Sequence, residues 1–181
     1  ICGKLTADIV INENVIGANG SLSDNFSDFI QWTPIYVGSE TEVALDGNGH
    51  TIRGMYVDAT DDSDVGMFLG GGGVVSISNL GIVESYFGGR GSTGAIMGYC
   101  EGETISISNF YTVESVIGSG FEYISGGFVG IANCDLTIQN SFNASPVNVG
   151  HTDDEYAIPG GALVAASGAG KFIENSFFIG E

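Results

Sequence analysis

One stretch, Thr104-Ile-Ser-Ile-Ser-Asn-Phe-Tyr-Thr-Val113, returns three more times along the chain, as 75–83, 136–144 and 171–179. Anchored on Asn79, Asn109, Asn140 and Asn175, the copies are spaced 30, 31 and 35 residues apart. An isoleucine stands two residues before each asparagine (Ile77, Ile107, Ile138, Ile173). Its neighbours are mostly polar: Ser76 and Ser78, Ser106 and Ser108, Thr137 and Gln139, then Phe172 and Glu174. Alternation with period two and β-branched residues on one parity predicts strands with one buried face. Units of about thirty residues are too small to bury a core alone, so self-similarity at this period implies stacking of neighbours. The expected fold is therefore all-β, a right-handed parallel β-helix (β-solenoid) of about five rungs. Its handedness follows the default for parallel crossovers.

The rungs are expected around 45–57, 66–83, 94–113, 126–144 and 161–179, preceded by residues 1–44 as an N-terminal strand and irregular cap. In the first segment Leu5, Ala7, Ile9 and Ile11 alternate. Trp32 lies among Ile30, Pro34 and Ile35 and reads as a buried anchor under a loop. Asp46-Gly-Asn-Gly is a pair of tight-turn dipeptides opening a degenerate first repeat. The asparagines share the isoleucines' parity, so they are expected inside, as a hydrogen-bonded stack at a bend. Gly81, Tyr111, Phe142 and Phe177 are expected to form a second inward column.

Composition narrows the function. With 22 Asp and Glu against 4 Lys and Arg, the net charge is −18. This disfavours nucleic acid and anionic membrane, which need Lys and Arg. No run approaches the roughly 18 apolar residues of a membrane span, so no membrane insertion is expected. No signal peptide is visible, and the first residue, Ile1, reads as the start of a processed or excised chain. In-register stacking would leave Cys100 and Cys134 offset by three residues, roughly 10 Å along a strand and beyond the ~7 Å reach of a disulfide. Cys2, Cys100 and Cys134 are therefore expected as inert thiols, with a Cys100–Cys134 bridge open only if glycine loops close the gap.

The order of motifs adds a resemblance. Leu5-Thr-Ala-Asp-Ile9, Trp32-Thr-Pro-Ile35 and Asp46-Gly-Asn-Gly-His-Thr-Ile52 resemble the entry segment of GLUG-repeat proteins, which are bacterial and archaeal surface and secreted proteins. The repeat's Gly-Gly-Leu-Val-Gly-like strand is matched by Gly66-Met-Phe-Leu-Gly70, Gly94-Ala-Ile-Met-Gly98, Gly126-Gly-Phe-Val-Gly130 and Gly161-Ala-Leu-Val-Ala165. Departures are Ala165 at the closing glycine, and Leu80, Phe110, Ser141 and Ser176 where the family often carries Cys. Glu42-Val-Ala-Leu45 also replaces the usual Phe-x-Gly segment before Asp46. The resemblance implies a surface or secreted solenoid, extracellular or at the cell surface, and carries no chemistry, since the family is defined by its scaffold.

The residues assign no catalytic site. His50 and His151 lie about a hundred residues apart, and no zinc helix, nucleophile elbow or phosphate loop is present. Asp61, Asp62 and Asp64 offer hard oxygen donors within four residues, a candidate calcium site outside the EF-hand pattern; no other cofactor is expected. The expected function is a non-enzymatic structural or adhesive module of a surface protein or assembly. Its partners would be other copies of itself or adjoining domains, met through the C-terminal rung at 172–179. The alternatives are a carbohydrate-binding module using Tyr86, Tyr99 and Tyr123, which would make polysaccharide a partner, and a β-helix carbohydrate-active enzyme.

Overall fold

The computed structural model describes residues 1–59, 64–118, 124–149, 160–168 and 170–179. Nearly all regular structure is strand, and the strands stack in parallel as a β-solenoid of about four turns. The chain begins with β1 (Cys2–Lys4) and β2 (Ile9–Val10), followed by a short 3-10 turn at Phe26–Asp28. The next coil holds β3 (Ile35–Gly38), β4 (Glu42–Asp46), β5 (Thr51–Arg53) and β6 (Tyr56–Ala59). Above it lie β7 (Phe68–Gly71), β8 (Val74–Val83) and β9 (Tyr86–Gly89), then β10 (Met97–Val113) and β11 (Val116–Ile117). The last two coils are β12 (Ser125–Gly126), β13 (Val129–Gln139) and β14 (Phe142–Ala144), then β15 (Gly160–Gly161), β16 (Val164–Ser167), β17 (Lys171–Glu174) and β18 (Phe177–Phe178). Thirteen of these strands form one sheet, in which β1, β4, β8, β10, β13 and β16 are successive neighbours.

Register turns the repeat into vertical lanes. Gly3, Leu45, Ile77, Ile107, Ile138 and Ile173 are paired in succession. Ile77, Ile107 and Ile138 are at most 1% exposed, whereas Ser106 between the inward positions is exposed. The predicted alternation is thus the core of the sheet. A second lane runs Ile9, Ile52, Ile82, Thr112, Asn143 and Phe178. It turns polar at two buried positions, and both are satisfied. The Thr112 hydroxyl donates to Asn143 Oδ1, the Asn143 amide donates to the Ala162 carbonyl at 2.9 Å, and Asn143 Oδ1 accepts the Ser145 N–H at 2.9 Å. Trp32 is partly buried against the core, its Nε1 donating to the Met67 carbonyl at 3.1 Å.

The asparagine row stands at a bend, as expected, but faces outward. Asn79, Asn109, Asn140 and Asn175 have φ between 49° and 53°, the left-handed region that asparagine tolerates better than other side-chain-bearing residues. A left-handed residue breaks the strand's period of two, so parity counted through it points the wrong way. Asn109, Asn140 and Asn175 are exposed. They still make a partial ladder: Asn109 Nδ2 donates to Asn79 Oδ1 at 2.9 Å, Asn79 Nδ2 to Asp46 Oδ1 at 2.9 Å, and Asn175 Nδ2 to Asn140 Oδ1 at 3.3 Å.

The same inversion moves the aromatic column outward. Tyr111 and Phe142 are half-buried and Phe177 is 52% exposed. Their rings stack along the outer wall, with centroids 5.3 and 5.6 Å apart and planes within 11°. The Tyr111 ring covers Gly81, where a Cβ would collide with it. The inward positions beside them are Phe110, Thr112, Ser141 and Asn143. At the next corner, after Glu84 and Glu114 (φ 47° and 50°), the inward positions are buried serines. Ser85 Oγ accepts the Met55 N–H at 3.0 Å, Ser115 Oγ accepts the Ser85 N–H at 3.0 Å, and Ser145 Oγ accepts the Ser115 N–H at 3.2 Å.

The cysteine expectation is also corrected: Cys100 and Cys134 form a disulfide, with Cα atoms 5.8 Å apart. β10 carries one extra residue between Glu101 and Thr104, so Cys100 pairs with Ala132 and its offset from Cys134 falls from three residues to two. The chain also bends there at Gly102, whose φ is +84°. A straight-strand distance therefore does not apply around the corner. Cys2 remains a free, exposed thiol.

Candidate functional site

Among the described residues, the two ends of the stack present strands paired along one edge. At one end β1 pairs only with β4, and β2 only with β5. All residues of β1 and β2 are exposed, Ile9 at 40% and Val10 at 55%. At the other end β17 pairs only with β13, and β18 only with β14. Phe172, Ile173, Phe177, Phe178 and Ile179 are 37–64% exposed there, whereas Ile138 and Asn143, which pair with Ile173 and Phe178 one coil below, are fully buried. An exposed row of strand N–H and C=O groups flanked by apolar side chains is a template for another strand.

The lanes say which residues would meet. Lys4, Asp46, Ser78, Ser108, Gln139 and Glu174 form one lane, with a cation at one end and an anion at the other. Ile9 and Phe178 end another lane, and Cys2 and Phe172 a third. Lys4 already reaches Asp46, Nζ to Oδ2 3.2 Å. Asp46 is held down at a pKa of about 2 by the Asn79 amide first, then by the Asn48 N–H and Lys4. Lys4 and Asp46 thereby stand as an ion pair between β1 and β4.

A second feature is an open cleft of about 380 Å³ against the solenoid wall, lined by Leu22, Tyr86, Val116, Gly118, Pro146 and Asn148 among others. Burial raises the pKa of Tyr86, helped by the nearby charge of Asp58. Tyr56, whose ring lies 5.9 Å from that of Tyr86 and whose hydroxyl donates to Asp58 Oδ2, is pushed up to about 12, chiefly by burial. Both phenols are therefore neutral hydrogen-bonding groups on aromatic faces. Tyr99, the second aromatic of the carbohydrate expectation, is half-buried and does not line this cleft; Tyr123 lies outside the described residues.

Of the calcium candidates, Asp61 and Asp62 lie outside the described residues. Asp64 is half-buried and accepts the Ser92 N–H at 3.0 Å, and burial raises its pKa. His50 Nδ1 lies 3.4 Å from Asp8 Oδ1, and His151 lies outside the described residues.

Sequence reasoning missed one cluster. Cys100, Glu103 and Cys134 bring their donor atoms within 4.8 Å of one another, all buried. Glu103 Oε1 accepts the Gly72 N–H at 2.9 Å, while its Oε2 has no hydrogen-bond partner. The signal lay in the Cys-Glu-Gly-Glu run at 100–103, where a glycine corner turns the second glutamate inward.

The fold places the chain in the class of parallel β-solenoids. No family model, curated protein or solved structure matched the chain. Among the described residues no helix is long and apolar enough to cross a membrane.

Proposed function

We propose that the chain is a non-enzymatic structural module of an extracellular or cell-surface assembly, built to stack end to end with further parallel coils. The observation that carries this reading is the complementarity of the two open ends. If the end bearing β17 and β18 stacks in register on the β1–β2 end of a second copy, Glu174 falls beside Lys4, and Phe178 falls over Ile9. The exposed apolar groups supply area, and the charge pair selects the register. A surface pair alone is worth only about 0.2–1 kcal/mol. Such a contact is heterologous and propagates into filaments when it does not close. An adjoining repeat of a longer chain would satisfy the same edge. The buried Cys100–Cys134 bridge fits an oxidising compartment, and the GLUG-like motif order points to a surface or secreted setting.

The test is sedimentation and electron microscopy of the 181-residue chain over a range of concentrations. Lys4→Glu and Glu174→Lys should each weaken association, and a mixture of the two variants should restore it, because the copies can then alternate. Phe178→Lys, which would put a charge against Ile9 of the next copy, should abolish it. A chain that stays monomeric at every concentration overturns the self-stacking reading.

The Tyr86 cleft favours a second reading, a carbohydrate-binding module. Its aromatic wall beside Asn148 suits a sugar ring. Glycan-array binding that disappears in Tyr86→Ala supports it, and a blank array removes it.

A further inference from the structure

We propose that Cys100, Cys134 and Glu103 form a buried site for a zinc-class divalent cation when the disulfide is open. This inference does not rest on the stacking reading. Three donors of the right chemistry already converge: their atoms lie within 4.8 Å of one another, and the residues are 0%, 5% and 2% exposed. Zinc holds thiolate sulfur at ~2.3 Å and carboxylate oxygen at ~2.0–2.2 Å, so donors in a tetrahedral shell stand roughly 3.3–3.8 Å apart. The observed cluster needs only the sulfurs to separate. Two sulfur donors select a borderline or soft ion over Ca²⁺ or Mg²⁺, which take oxygen.

The second, independent observation is the glutamate itself. A carboxylate oxygen buried without a partner is costly, yet Glu103 is held in place by the Gly72 N–H on its other oxygen. Gly70 leaves the space for it, since a Cβ there would press on Glu103 Oε1. A carboxylate oxygen of Glu103 belongs to the same cluster as the two sulfurs, and its Oε2 is unpaired, an arrangement that a cation satisfies and a disulfide leaves unanswered. The Ile131 carbonyl, 3.6 Å from Cys100 Sγ, is a neighbouring oxygen for a fourth position.

The chemistry balances with a dithiol as reductant. It delivers two electrons and two protons to the Cys100–Cys134 bond and itself becomes a disulfide. The two thiols then release their protons as the cation binds. Disulfide and metal are thus alternative clips on the same corner of β10 and β13.

The experiment uses the full chain, treated with excess dithiol and then freed of it without air. Co²⁺ is the probe. One equivalent should bind with thiolate-to-cobalt charge transfer and tetrahedral bands, and Zn²⁺ should displace it. The oxidised chain should bind none, and Glu103→Gln should bind about tenfold or more weakly. If reduction alone unfolds the chain, Zn²⁺ should restore its β-sheet circular dichroism in the wild type and fail to do so in Glu103→Gln. Absence of binding and of refolding, or equal behaviour of the two chains, overturns the proposal.

Discussion

Ile107 has a like side chain directly above and below, in Ile138 and Ile77, and is fully buried. Its truncation leaves a void that neighbours on a hydrogen-bonded ladder cannot collapse to fill. Ile107→Ala should cost about 2–5 kcal/mol, and Ser106→Ala, on the outer face, should stay within about 0.5 kcal/mol. Urea denaturation of both variants checks this, and equal losses would contradict the lane assignment. Asn109 behaves differently. Its side chain is exposed, so losing its bond to Asn79 strands no buried group. What matters is its φ of 49°. Asn109→Ala should cost roughly 1–2 kcal/mol from left-handed strain, whereas Asn109→Gly should cost less, because glycine enters that region freely. If the glycine variant proved the worse of the two, the side-chain ladder rather than the backbone would be the stabilising element.

At the scale of elements, the strand stretches were legible because alternation is a local property. Ile105 and Ile107 could be assigned inward from their neighbours alone. Legibility ended at each left-handed residue. The period of two assumes extended backbone throughout, and one residue at positive φ re-aims everything after it, as Tyr111, Phe142 and Phe177 demonstrate. The serine stack was visible as Ser85, Ser115 and Ser145 at 30-residue intervals. Polarity alone assigns such residues to the surface, and only the corner reveals that their hydroxyls accept N–H groups from the coil below. The disulfide was hidden by one extra residue in β10, which no count along a single strand discloses. The joint between β1 and β4 yields a pH prediction. The pKa of Asp46 falls from 3.8 unfolded to about 2 folded, so its contribution to stability is fully present above 3.8 and is lost as pH falls toward 2. Thermal melts across that window should show a steeper loss of stability in the wild type than in Asp46→Asn. Parallel curves would show that the Lys4–Asp46–Asn79 contacts do not tie the first coil down.

For the whole molecule, the open ends were foreseeable in part. The exposed rung at 172–179 follows from the repeat pattern, but the matching lanes at β1 and β2 emerge only once register is known. The Cys100–Glu103–Cys134 cluster needed the fold, since Cys134 on β13 lies one coil away from Cys100 and Glu103 on β10. Lane register has a further consequence, for how such a molecule changes size. Between Ile77 and Ile107, and again between Ile107 and Ile138, each coil meets the next through equivalent contacts. An in-frame duplication of one such segment would demand no new kind of contact, because stability in stacked arrays is a sum of unit and nearest-neighbour contributions. It would simply push the two ends apart by one strand spacing, about 4.8 Å. The reach of this scaffold is therefore a whole number written in the gene, adjustable one coil at a time while the faces that meet a neighbour stay unchanged.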